Sequence, residues 1–122
     1  MKINAIDIIT MAIDSFTEQT GLSVNQSCLR DIECCALLLD ELADRASAES
    51  MSAQVDHESR NLCVQMECPL RGFDDYARNF ASMLRSVDLP ACCLQAWYAK
   101  AHTQVFVFIF DRVFEKGDAQ NV

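Results

Sequence analysis

Apolar residues recur at helical spacing through the first twenty positions. Ile6, Ile9, Ile13 and Phe16 share one face of a 3.6-residue wheel, joined by Ala5 and Ala12. This predicts an amphipathic helix over residues 3–20, stopped at Gly21. Asp7, Asp14 and Glu18 fall together on another face with no basic residue between them. Ser23 and Gln26 then have the spacing of a capping box, predicting a second helix from Ser23 to about Ser47. Cys28, Ile32, Cys35, Leu39, Leu42 and Ala43 form its apolar stripe. Glu33, Asp40, Glu41 and Asp44 lie opposite, with Leu37 in their midst.

The period then changes from 3.6 to 2. Met51, Ala53 and Val55 alternate with Ser52, Gln54 and Asp56; Leu62, Val64 and Met66 alternate with Cys63, Gln65 and Glu67. Residues 51–57 and 60–68 therefore read as a hairpin with one wet face. Pro69 and Gly72 precede a third helical stripe over 73–87, formed by Phe73, Tyr76, Ala77, Phe80, Met83, Leu84 and Val87. A strand at 92–99 follows Pro90. A turn through Lys100–Thr103 leads into the most hydrophobic run of the chain, 103–114. Every residue from Val105 to Phe110 is apolar and either β-branched or aromatic, the signature of a strand buried on both faces.

The order α-α-β-β-α-β-β predicts one α+β domain over residues 1–122, with 118–122 a frayed tail. Its expected core is a four-stranded, mainly antiparallel sheet with the 103–114 strand central, packed by three helices. The last hairpin has apolar residues on both sides: Phe106, Phe108 and Phe110 against Val105, Val107 and Ile109, with Cys93 and Trp97 against Leu94 and Tyr98. Either helices cover both faces of the sheet, or two copies share the uncovered face as a homodimer through this hairpin.

Charge narrows the function. The chain has a net charge of −8. Residues 1–70 hold twelve acidic and four basic side chains, whereas 71–122 hold six of each. A phosphate backbone needs a basic patch, so direct nucleic-acid binding is disfavoured. The longest apolar run is far too short for a bilayer, and no basic, then apolar, leader opens the chain. Seven cysteines, an odd number set within apolar patterns, suggest reduced, buried thiols in a cytoplasmic protein.

Catalytic chemistry finds little support. There is no Cys-x-x-Cys, and the adjacent pairs Cys34-Cys35 and Cys92-Cys93 do not converge easily on one ion, so no metal or cofactor is expected. His57 and His102 both fall in hairpin turns. Were these turns at the same end of the sheet, a cysteine–histidine enzyme would be conceivable. Three scattered glycines supply no phosphate loop. The adjacent carboxylates Asp74-Asp75 and Asp40-Glu41 fall on helix surfaces or ends, where nothing raises their pKa for acid catalysis.

The leading expectation is thus a non-enzymatic binding protein that docks a basic protein partner and occludes it. Asp7, Asp14 and Glu18 would steer association, while Glu33, Leu37, Asp40, Glu41 and Asp44 would make contact. Phage inhibitors and toxin-immunity proteins offer an analogy of size and charge alone. The alternative expectation is a small-molecule or redox-sensing domain with a pocket lined by cysteines and aromatics.

Overall fold

The computed structural model describes residues 4–69 and 92–115. Two helices, α1 (Ala5–Thr20) and α2 (Gln26–Arg45), precede four strands: β1 (Ser50–Val55), β2 (Leu62–Pro69), β3 (Cys93–Lys100) and β4 (Thr103–Phe110). The helix expected over 73–87 and the tail at 118–122 lie outside the described residues. All strand pairs are antiparallel, in the order β1-β2-β4-β3. The aromatic run is therefore an interior strand, hydrogen-bonded to β2 on one side and β3 on the other.

Local chemistry sets the helix ends. Asn4 caps α1, its side-chain oxygen accepting the Ile6 N–H at 3.2 Å. Gly21, at φ +74°, closes the other end by donating its N–H to the Thr17 carbonyl at 2.8 Å. The cap of α2 corrects the sequence reading: it is Asn25, accepting from the Ser27 N–H at 3.1 Å, and not Ser23. Ser23 is engaged elsewhere. Its carbonyl accepts the Glu115 N–H at 2.8 Å, and the Asn25 N–H donates to the Val113 carbonyl at 2.7 Å. Val24 and Phe114 form the bridge between these two segments. Residues 22–25 are thus held extended until this pairing ends, and α2 begins immediately afterwards.

The same pairing ends β4 early. The strand stops at Phe110, the chain turns at Arg112 with φ +59°, and Val113-Phe114 leaves the sheet to meet residues 23–25. The expected strand over 103–114 is four residues too long.

Both described helices cover one face of the sheet. Ile9, Ile13 and Phe16 of α1 and Ile32, Cys35, Leu39 and Leu42 of α2 share a core with Leu62, Val64, Met66, Phe106, Phe108 and Phe110. Val105, Val107 and Ile109 point the other way and stand outside this cluster. Ile109, expected in the core, is only half-buried on that side, whereas Val105, on the same side, is 1% exposed. Phe80 and Leu84, the remaining expected core residues on the third stripe, lie outside the described residues.

Candidate functional site

The outward side of the helical layer carries the charge. Asp7, Asp14 and Glu18 on α1 and Glu33, Glu41 and Asp44 on α2 are exposed. Leu37 stands among them, 72% exposed. A residue missed in the sequence completes the picture. Met11 is 71% exposed and sits within the α1 stripe. The two stripes share one spacing: Asp7, Met11, Asp14, Glu18 and Glu33, Leu37, Asp40, Asp44, steps of four, three and four. At ~100° per residue these steps keep each set in a narrow strip, so each helix presents one apolar knob flanked by carboxylates. The signal for Met11 was this repeated spacing, legible once Leu37 had been singled out.

Asp40 and Glu41, among the expected contact residues, have other engagements. Asp40 is half-buried, and its Oδ1 accepts the Ala5 N–H at 2.7 Å. It satisfies a donor at the positive end of α1 and fixes α2 as running back beside that helix. Glu41 accepts from Arg45 Nη2 at 2.7 Å, an exposed pair one helical turn apart worth only about 0.3–0.5 kcal/mol.

The cysteines do not form one buried set. Cys28, Cys35, Cys68 and Cys92 are buried, Cys63 and Cys93 are half-buried, and Cys34 is exposed; all seven are free thiols. Cys28 and Cys35 lie two turns apart on the sheet-facing side of α2 and meet the start of β3. Cys28 Sγ stands 3.7 Å from Cys92 Sγ and 3.5 Å from the Asp111 carbonyl oxygen. The Asp111 N–H in turn donates to the Cys92 carbonyl at 2.9 Å. Burial, reinforced by Cys92, pushes the Cys28 thiol up to about 12. Next along the seam, the Cys93 thiol donates to Cys35, which holds Cys35 below the ordinary thiol value. The same hydrogen bond raises Cys93, and burial adds to it. Cys68, on β2, is pushed up to about 12 by burial and then by Glu49.

Two clefts among the described residues bear on the pocket of cysteines and aromatics expected from the sequence. One, about 320 Å³, lies between α1 and the β1 edge and is lined by Phe16 and His57 without a cysteine. The His57 ring is 5.3 Å from Phe16 between centroids. The other, about 190 Å³, is lined by Asn25, Ser27, Cys28, Asp31, Cys92 and Arg112. The histidines do not meet. His57 follows the end of β1 nearest Leu62, whose partner is Phe110, while His102 lies in the turn before Thr103, the partner of Pro69. The two turns occupy opposite ends of the sheet, so His57 and His102 do not converge on one site. Among the described residues, no group of three or more His, Cys, Asp and Glu side chains is arranged to hold a metal ion. Among the same residues no helix is long and apolar enough to cross a membrane.

The face of the sheet opposite the helices is partly apolar. Leu94 is 64% and Tyr98 48% exposed, and Val107 and Ile109 are half-buried between β3 and β2. No family model, curated protein or solved structure significantly matches the chain.

Proposed function

We propose that this is a non-enzymatic protein that works by protein–protein interaction, docking its acidic helical face on a basic partner and occluding it. The observation that carries this reading is the pair of equal stripes. Met11 and Leu37, each more than two-thirds exposed, stand within rows of carboxylates on adjacent helices. Large apolar side chains ringed by charge suit a contact in which the apolar groups lose water and the charges guide approach. A basic, nucleic-acid-binding protein surface is the complementary partner. The deficit of basic residues in 1–70 disfavours nucleic acid itself as ligand. Seven free thiols agree with a reducing compartment, and the reading assigns the protein to the cytoplasm.

Capture from extract of the source cells, at low and at high salt, tests this directly. Wild type is compared with Met11→Ser/Leu37→Ser and with Asp14→Lys/Glu33→Lys. A basic protein retained by wild type at low salt, released by salt and lost with both variants is the expected outcome. Retention that is indifferent to salt and to all four substitutions would reject the acidic face.

A second reading concerns the sheet face opposite the described helices. Leu94 and Tyr98, beside Val107 and Ile109, favour self-association of two copies through the second hairpin across a two-fold axis. Light scattering over a dilution series should give a dimer at micromolar concentration that Leu94→Lys converts to monomer. A wild-type monomer throughout would dismiss it.

A further inference from the structure

The start of α2 is fastened to the end of the sheet more firmly than a helix cap requires. The Asn25 backbone N–H and side-chain Nδ2 donate to the Val113 and Arg112 carbonyls, at 2.7 and 3.2 Å. One turn into the helix, Cys28 meets Cys92, whose carbonyl is held by the Asp111 N–H. The two sulfurs are therefore brought together from opposite sides by separate backbone anchors, across 64 residues of sequence. They stand 3.7 Å apart, and a disulfide needs about 2.05 Å, so a closure of roughly 1.7 Å completes the bond. Both cysteines line the 190 Å³ cleft, with Asp31 and Arg112 also in its walls.

We infer that Cys28 and Cys92 are a reversible modification site, closing to a disulfide by exchange with a low-molecular-weight disulfide such as oxidised glutathione. The proposal stands independently of the docking reading. One protein thiolate attacks a sulfur of the small disulfide, forming a mixed disulfide and expelling one small thiolate. The second protein thiolate then attacks the protein sulfur of that mixed disulfide and expels the other. Two protein thiols are oxidised and one small disulfide is reduced to two thiols, which take up the two protons. Burial, which raises the Cys28 pKa, slows its attack, so closure needs prolonged exposure to excess oxidant. In the Cys35–Cys93 pair, Cys93 is half-buried but Cys35 is 1% exposed, and neither lines the two clefts. The closed bond would tie the helix bearing Glu33 and Leu37 covalently to the sheet.

The native full-length chain is equilibrated with excess oxidised glutathione, alkylated and digested with trypsin. Loss of the Cys28 and Cys92 thiols is expected, beyond a glutathione adduct on exposed Cys34, and all are restored by dithiothreitol. The peptide of residues 3–30 should be joined to that of residues 86–100, with fragmentation between positions 92 and 93 locating the link at Cys92. Seven thiols surviving equilibration would overturn the proposal. So would stable glutathione adducts without a cross-link, or a dominant link from residues 31–45 to 86–100.

Discussion

Asp40 illustrates how one residue changes meaning once its neighbours are known. On the helix wheel it belongs to the acidic row with Glu33 and Asp44. In the fold its carboxylate accepts the Ala5 N–H at 2.7 Å and is half-buried against the first turn of α1. Four N–H groups at a helix start have no partner within the helix, and an anionic acceptor there also meets the positive end of the dipole. Asp40→Ala should therefore destabilise the fold by about 1–2 kcal/mol, and Asp40→Asn by less because an acceptor oxygen remains. Chemical denaturation of the three proteins checks this. An unchanged midpoint for Asp40→Ala would mean that Asp40 is only a surface charge. For the same reason the docking test reverses Asp14 and Glu33 and leaves Asp40 alone.

Elements were legible where the determining contacts are local and misread where they are not. The stripes Ile6-Ile9-Ile13-Phe16 and Cys28-Ile32-Cys35-Leu39-Leu42 specify two helices by themselves, because the period of the apolar residues fixes which side leaves water. Alternation likewise placed Met51, Ala53 and Val55 on the same face as Leu62, Val64 and Met66. Ser23 was misread as a cap because its real engagement, with Glu115, lies more than ninety residues away. The same pairing shortened β4, and no local pattern records it. The antiparallel register puts Phe108 against Val64 and Gln95, in the middle of the face that the helices cover. Phe108 is fully buried, so Phe108→Ala should cost about 3–5 kcal/mol, the transfer term plus the cavity left behind. A thermal melt within a degree of wild type would show that this core is not packed as described.

At the scale of the whole molecule the sheet separates two surfaces of different chemistry. One side is the helical layer, acidic with two apolar knobs; the other is the opposite sheet face, where Leu94 and Tyr98 are exposed. The charge asymmetry that made the first surface legible is a property of composition. Leu37 could be picked out because it interrupts carboxylates. Met11 passed unnoticed because a methionine on a helix reads as core until its direction is known. The thiol pairing was invisible for another reason: contact between Cys28 and Cys92 depends on the anchoring of Asn25 to residues 112–113. The docking test uses Met11, Asp14, Glu33 and Leu37, all exposed, and exposed substitutions away from caps usually change stability by less than ~0.5 kcal/mol. Binding can thus be separated from folding by mutation.

The most direct measurement is the affinity of the captured basic partner for wild type, Met11→Ser/Leu37→Ser and Asp14→Lys/Glu33→Lys across a salt series. If the acidic face docks, wild-type affinity falls as salt rises, and the charge-reversed protein binds weakly even at low salt. Loss of the two apolar knobs should weaken binding by at least ~10-fold, as for buried interface anchors, with little change in salt dependence. Equal affinities for the three folded proteins, at every salt concentration, would contradict the account.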